Sequence, residues 1–228
     1  MSSRAAWAER ELHYRFSDPA LLDMALTHRS ASRLNNERLE YLGDAFLNFA
    51  IAKRLYELRP DDEEGDLSRA RAALVNKPTL AAIGQSLGID SIITVGAGEY
   101  RSGGARRSAV LADAVEALIG AVVLDGGTEA AQAVVDRLFE SRLRELPAAA
   151  ELKDAKTRLQ EWLQGRGLGL PVYRVERVSG REHERTFTVV CEVVERNLQT
   201  RGNGPSRRRA EQDAAAAMMA VLTGAGSD

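Results

Sequence analysis

The sequence predicts two domains of different fold class: an all-α domain over residues 1–146 and a small α+β domain of order αβββα over residues 154–224. In the first domain, apolar residues recur at helical spacing and period-two alternation is absent. In the second, a short helical segment precedes three alternating segments and a longer helix. A Pro-Ala-Ala-Ala run begins at Pro147, where the pattern changes, so we expect a linker over residues 147–153.

The first domain contains six segments with helical periodicity, separated by Pro and Gly residues, which interrupt helices. The stretch from Gly96 to Ser108 is rich in Gly and Arg and predicts a loop. The predicted helical segments are 20–26, 37–58, 67–75, 78–87, 109–124 and 129–146.

The second domain is predicted to begin and end with helices. Residues 154–164 form the first helix, which Gly165 ends. Ser206 is expected to cap the last helix, which runs to about Leu222.

Three strands are expected between these helices, because polar and apolar residues alternate there. The inward face of the first strand contains Tyr173 and Val175, and the third strand covers Leu198–Arg201. The second strand covers Phe187–Val193, with Cys191 on its inward face, where a buried core thiol is expected.

Composition excludes several classes of protein. Hydrophobic residues make up 44% of the chain and charged residues 28%, as in ordinary globular proteins. One cysteine and three histidines exclude a Cys-rich zinc or iron–sulfur site. No apolar run approaches the ~18 residues of a membrane span, and the charged N-terminal segment lacks the apolar stretch of a signal peptide. We therefore expect a cytoplasmic protein without a membrane partner.

The net charge of −2 is divided unevenly between the halves of the chain. Residues 151–228 contain 13 Lys and Arg and 11 Asp and Glu, a net of +2, which leaves −4 for residues 1–150. The two halves are therefore expected to have different functions. A net charge of this size is weak evidence for nucleic-acid binding, which depends on where the basic residues lie.

The most informative carboxylates lie near the start of the predicted helix 37–58. Glu37, Glu40 and Asp44 have the spacing i, i+3 and i+7, which places them within roughly 60° of arc on one helix face. Like charges at such spacing destabilise a helix by a few tenths of a kcal/mol per pair. Something must offset that repulsion.

A second pair of carboxylates lies in the segment Ser108–Leu124. Asp113 and Glu116 are its only charged residues, and the apolar or small neighbours predict a largely buried helix. A buried carboxylate without a partner costs several kcal/mol or becomes neutral. The pair therefore requires a basic side chain from elsewhere or a metal ion.

If the two helices pack together, four or five carboxylates meet. A cluster without His or Cys favours magnesium or manganese over zinc, and acidic magnesium sites commonly serve phosphodiester chemistry. The alternative is that Glu37 and Glu40 lie on a solvated face while Asp113 and Glu116 flank a buried stripe. The sequence has no P-loop or Glu-x-x-His motif, and we expect His13 and His28 to be structural or surface residues.

The residues around these carboxylates resemble the signature of ribonuclease III, the double-stranded-RNA endonuclease. The C-terminal part resembles a double-stranded-RNA-binding domain, and the resemblance covers nearly the whole chain. The matching segments are Asn36–Asp44, Thr27–Ser30, Glu64–Ser68 and Leu111–Gly120 in the first domain, and Lys156–Glu161 and Gly202–Glu211 in the second.

The resemblance implies a set of acidic site residues. Its divalent-metal ligands correspond to Glu40, Asp113 and Glu116, and its essential aspartate, which we group with the metal site, corresponds to Asp44. Glu37 and Glu64 match further acidic positions of the cleavage site. Tyr41 departs from the usual Phe of the dimer contact, so its hydroxyl needs a partner or solvent.

The resemblance also implies the activity. We expect a homodimer of the helical domain that hydrolyses both strands of double-stranded RNA with Mg2+, or with Mn2+ as a substitute. Water attacks phosphorus in line, which leaves 5′-phosphate and 3′-hydroxyl ends with short 3′ overhangs. Processing of ribosomal and messenger RNA precursors is the family's usual task in bacteria.

The α+β domain is expected to contact phosphates and 2′-hydroxyls across about 16 base pairs of A-form duplex. Arginines at the start of a helix favour phosphate. The candidate RNA-binding residues are Thr157, Gln160 and Glu161 on the first helix, His183 in the loop between the first two strands, and Arg207 and Arg208 at the start of the last helix.

Two alternative functions remain open. An all-α nucleotide pyrophosphohydrolase also uses paired carboxylates on helices, but it would not need the basic C-terminal domain. A non-catalytic double-stranded-RNA-binding or ribosome-associated protein would not need the intact acidic set. Incubation with a long duplex RNA, with and without magnesium, separates the three.

Overall fold

The computed structural model describes residues 3–97, 105–148, 153–181 and 185–224. The chain divides into two compact units, Met1–Ala149 and Ala150–Asp228. The first unit is helical, and the second contains one helix, three antiparallel strands and a final helix. The predicted fold class is therefore confirmed. No helix of the described residues is both long and apolar enough to cross a membrane.

The helices of the first unit follow the predicted segments closely, with one addition. The prediction omitted α1, a short helix whose Trp7 and Ala8 are buried. The helices are α1 Ser3–Glu11, α2 Pro19–Ala25, α3 Glu37–Leu58, α4 Glu64–Leu74, α5 Lys77–Ser86 and α6 Ala105–Arg144.

Helix α6 joins the two segments predicted at 109–124 and 129–146. Gly127 interrupts it with a φ of 81°, in the left-handed region that favours glycine, so the predicted break is present as a kink. The predicted loop 96–108 is wrong for residues 105–108, which are helical, and residues 98–104 lie outside the described residues. Arg107 donates to Asp90 and ties this first turn to the body of the unit.

Helix α3 is held in place at its start and along its buried face. The Asn35 side chain accepts a hydrogen bond from the Glu37 backbone amide at 3.0 Å. The acidic first turn lies at the positive end of the helix dipole, which offsets part of the repulsion between its carboxylates. The residues buried on this helix are Leu39, Gly43, Leu47, Ala50, Ile51 and Leu55.

The second unit places two helices, α7 (Ala155–Gln164) and α8 (Arg207–Thr223), against a sheet of order β1-β2-β3. The strands are β1 Val172–Ser179, β2 Thr186–Val193 and β3 Leu198–Gly204. Asp154 caps α7 and Ser206 caps α8, as predicted for Ser206. Cys191 is fully buried in the core, as expected, with Leu159, Leu163 and Met218.

Two strand positions differ from the alternating pattern. Val175 was expected to face inward but is 40% exposed. It keeps the register of Tyr173 and pairs with Val189, and it lies on the edge strand β1 at the last position before the register shift. Val190 precedes Cys191, so the alternation places it on the opposite face of β2, yet it is fully buried. It lies in the central strand opposite Arg174 and Arg201, and the aliphatic stems of such long side chains can cover an apolar neighbour.

Candidate active site

The backbones of α3 and α6 approach each other closely at two glycines. A Cβ on Gly43 would overlap the backbone carbonyl of Glu116, and a Cβ on Gly120 would overlap that of Leu39. Only glycine permits this approach. It brings the carboxylates of α3 next to those of α6.

Three carboxylates converge at this crossing. Glu40, Asp113 and Glu116 each offer one oxygen, and the three oxygens lie within 4.8 Å of one another. All three residues are partly buried. Packing of α3 against α6 therefore brings these carboxylates together, as the sequence predicts.

The cluster is electrostatically strained when no cation is bound. Burial, followed by the charges of Asp44, Glu40 and Asp113, raises the pKa of Glu116 from 4.5 to about 7. Burial and the charge of Asp113 likewise raise the pKa of Glu40. Carboxylates that repel one another in a half-buried site suit a divalent cation.

The remaining predicted acidic residues lie outside this group of three. Asp44 is exposed and accepts a hydrogen bond from the Asn48 side chain at 2.9 Å. Its negative charge nevertheless contributes to the raised pKa of Glu116. Glu37 is exposed and forms an ion pair with Arg29 at 3.3 Å. Glu64 begins α4 and accepts a hydrogen bond from the Ser68 hydroxyl at 2.8 Å.

An open cavity of about 310 Å³ adjoins the cluster. It contains two residues that the sequence did not identify as site residues: Lys77, whose Nζ lies 3.5 Å from Asp113 Oδ1, and Asn36, whose buried Nδ2 has no hydrogen-bond partner. No motif in the sequence identifies Lys77 as a site residue. The sequence does predict that Asp113 and Glu116 need a cation from elsewhere, and Lys77 is such a cation. The lining residues are His28, Arg29, Asn36, Glu37, Glu40, Lys77, Ala109, Val110 and Asp113.

His28 lines the cavity, is nearly buried and has a structural role. Its Nδ1 lies 2.7 Å from the Ser30 hydroxyl, and its backbone amide donates to the Thr94 carbonyl at 2.9 Å. These contacts agree with the structural part expected for this histidine.

In the second unit, close packing of β3 against α8 explains the Gly-x-Gly segment. A Cβ on Gly202 would overlap the backbone amide of Ala214, and a Cβ on Gly204 would lie 2.7 Å from that of Ala210. The approach fixes the start of α8, where Arg207 and Arg208 are both exposed.

Glu211 links the two helices of this unit. It accepts hydrogen bonds from Lys156 at 2.7 Å and from Arg207 at 2.8 Å. Desolvation alone would raise the pKa of Glu211, but these two cations lower it. Arg207 therefore has a structural partner in addition to its predicted RNA contact.

Two of the three predicted RNA-binding residues of α7, Thr157 and Glu161, form hydrogen bonds with residues that precede the helix. The Thr157 amide donates to the capping Asp154 at 2.9 Å, Gln160 is exposed, and Glu161 accepts from Lys153 at 2.8 Å. His183, the predicted contact in the β1–β2 loop, lies outside the described residues.

Comparison with known proteins identifies both units. The family described as Ribonuclease-III-like matches residues 18–143, and the double-stranded RNA binding motif matches residues 155–222. The chain is 53% identical to Ribonuclease 3 of Alkalilimnicola ehrlichii over 92% of each chain. It is 52% identical to Ribonuclease 3 of Nitrosococcus oceani over 96% of this chain and 95% of that one.

A solved structure shares the fold of the first unit. It is the nuclease domain of ribonuclease III from Campylobacter jejuni, with a TM-score of 0.58 and 42% identity, and the match covers 60% of this chain and 97% of that domain. The carboxylate cluster of the helical unit, the match of the second unit to an RNA-binding motif and the relatives that match over most of the chain all indicate the same family. The chain belongs to the ribonuclease III family and is a double-stranded-RNA endonuclease.

Proposed function

We propose that the protein hydrolyses both strands of double-stranded RNA in a Mg2+-dependent reaction, leaving 5′-phosphate and 3′-hydroxyl ends with short 3′ overhangs. The observation that supports this most directly is the convergence of Glu40, Asp113 and Glu116 within 4.8 Å. The proposed substrates are precursors of ribosomal and messenger RNA, and the proposed place of action is the cytoplasm, where bacterial transcripts are made.

The donor set fits a hard divalent cation. Its ligands are carboxylate oxygens from two helices, which Mg2+ and Mn2+ prefer, whereas zinc favours His and Cys. When bound, such a cation would activate the attacking water and offset the charge that develops on the phosphate. Burial and then repulsion by the neighbouring carboxylates raise the pKa of Glu116, and a bound cation would relieve that repulsion.

The acidic residues divide into two proposed roles. Glu40, Asp113 and Glu116 hold the cation. Asp44 lies close enough for its charge to raise the pKa of Glu116, and we assign it to the metal site as the essential aspartate. Glu37 borders the cavity beside Glu40, and together with Glu64 it is assigned to the surface that receives the scissile strand.

A homodimer of the helical unit is part of the proposal. Tyr41 is 81% exposed and, with the exposed Leu34 and Leu124, lines a second cavity, which is apolar and has a volume of about 780 Å³. Exposed apolar surface of this kind marks interfaces. For the C. jejuni nuclease domain, flexibility is described in a region involved in dimer formation. We propose that Tyr41 packs against the partner with its hydroxyl at the edge of the contact.

RNA recognition is assigned to the second unit. Thr157, Gln160 and Glu161 would contact one minor groove, and His183 a second one. Arg207 and Arg208 would contact phosphates at the N-terminus of α8, where the helix dipole adds to their charge.

The direct test is cleavage of a long duplex RNA by Glu116→Gln with and without Mg2+. We expect cleavage by the parent only with Mg2+, loss of cleavage in the variant, and unchanged duplex binding. The control is Glu140→Gln, on the same helix in an exposed ion pair with Arg144. Near-normal cleavage by Glu116→Gln would refute the metal assignment. Duplex binding without cleavage by the parent would favour the non-catalytic alternative.

A further inference from the structure

Lys77 is a cation at the edge of the carboxylate cluster, supplied by a different helix. It is the first residue of α5, and its Nζ lies 3.5 Å from Asp113 Oδ1. A lysine at a helix N-terminus faces the positive end of the helix dipole, which disfavours it. The nearby carboxylates offset that unfavourable placement.

The backbone that presents Lys77 is fixed on both sides. Asn76 caps α5 by accepting a hydrogen bond from the Thr79 amide at 2.9 Å. Further along, α5 packs so closely on α6 that a Cβ on Gly84 would lie 3.0 Å from the Leu111 carbonyl oxygen. The start of α5 is thus held beside Asp113, while the Lys77 side chain itself is 69% exposed.

The positive charge of Lys77 partly balances the negative charges of the three converging carboxylates. Its charge acts on Glu40 and Glu116 as well as on Asp113, its ion-pair partner. Arg29 also lines the cavity and its charge also lowers the pKa of Glu40, but its ion pair is with Glu37, which lies outside the group of three. Lys77 is therefore the cation that a divalent ion bound by the cluster would repel most directly.

We propose that Lys77 is the displaceable counter-ion of the metal site: it balances Glu40, Asp113 and Glu116 while no metal is bound and withdraws when a divalent cation enters. This inference rests on the proposed metal-dependent function. Because Lys77 is mostly exposed, withdrawal into solvent requires no change in the fold. Its ammonium group then sets how tightly the cluster holds its first divalent ion.

The inference predicts opposite effects on two measurable properties. Without Lys77, the metal-free cluster loses its balancing charge, so the melting temperature in EDTA should fall. The entering dication no longer meets a positive charge a few ångströms away, so metal affinity should rise about three- to tenfold. A residue with a merely structural part would lower the melting temperature without tightening metal binding.

The test measures Mn2+ binding to the full chain without RNA, from the electron paramagnetic resonance signal of free Mn2+. Measurements are made above the pKa of Glu116, so that protons do not compete with the metal. We compare the parent with Lys77→Gln and Lys77→Arg, and with Lys53→Gln as control. Lys53 also forms an ion pair with a carboxylate, Glu57, on the same helix.

Lys77→Gln should bind Mn2+ about three- to tenfold more tightly than the parent, whereas Lys77→Arg and Lys53→Gln should bind it like the parent. Unchanged or weaker Mn2+ binding by Lys77→Gln would overturn the inference. Glu116→Gln is measured in parallel. If the parent binds no Mn2+ better than Glu116→Gln, the proposed metal site itself fails; if only the Lys77 effect is missing, this inference alone fails.

Discussion

Replacing Glu116 by glutamine should stabilise the metal-free protein at alkaline pH, although the same change should abolish cleavage. Burial and three neighbouring carboxylates raise the pKa of Glu116 from 4.5 to about 7 in the folded protein. A carboxyl whose folded-state pKa exceeds its unfolded value binds more protons in the native state. The free energy of unfolding of the metal-free protein should therefore fall as the pH rises from 4.5 through about 7.

The size of the effect follows from the shift and from the exposure of the group. A rise from 4.5 to about 7 corresponds to about 3 kcal/mol if it is taken at face value. Glu116 is only partly buried, so solvent screening reduces this to about 1–2 kcal/mol. Glutamine keeps the size and much of the hydrogen-bonding capacity of glutamate without the charge. We expect the melting temperature of Glu116→Gln to exceed that of the parent by about 3–6 °C at alkaline pH.

The assay is thermal unfolding in EDTA at about pH 5 and about pH 8.5, on either side of the shifted pKa. Circular dichroism and tryptophan fluorescence both report the whole chain, because Trp7 lies in the helical unit and Trp162 in the second unit. Glu140→Gln is the control, because its ion pair is exposed. Equal melting-temperature changes in Glu116→Gln at both pH values would refute the reasoning. Added Mg2+ should stabilise the parent more than the variant.

Four further changes test the packing, the dimer and the RNA contacts. Gly43→Ala should destabilise the protein by several kcal/mol and impair cleavage, measured by thermal unfolding and duplex digestion, because its Cβ would overlap the Glu116 backbone. Tyr41→Asp should give monomers in sedimentation, whereas Tyr41→Phe should stay dimeric. Removal of residues 151–228 should leave a dimer that cleaves poorly at physiological salt and better at low salt, because most phosphate contacts are lost. Arg208→Ala should weaken binding to all duplexes equally and reduce the magnitude of the negative slope of log K against log salt by about 1, whereas an unchanged slope would exclude a phosphate contact.

The carboxylate pairs were predictable because each stands out from its local pattern. Asp113 and Glu116 interrupt an otherwise uncharged helical run, so their need for a cation followed from the cost of burying charge. Helical periodicity gave the bounds of α3 unchanged. These features depend on neighbours within one or two turns, which a sequence displays directly.

Features that depend on contacts between distant segments were not predictable in the same way. Lys77 precedes Asp113 by 36 positions, and only the packing of α5 on α6 makes them an ion pair. Val175 fits the alternating pattern but is 40% exposed, because it lies on the edge strand β1 beside the point where the register with β2 shifts. In both cases the local sequence is compatible with other arrangements, and the tertiary contact decides between them.

The glycines of the α3–α6 crossing explain why the carboxylates meet at all. Gly43 follows Glu40 by three positions and Gly120 follows Glu116 by four, so each glycine lies on the same helix face as a carboxylate, one turn away. The face of closest backbone approach is then also the carboxylate face. A side chain at either glycine would force the helix axes apart and separate the acidic groups. Since those groups repel one another, their convergence depends on the close packing of two apolar helix faces.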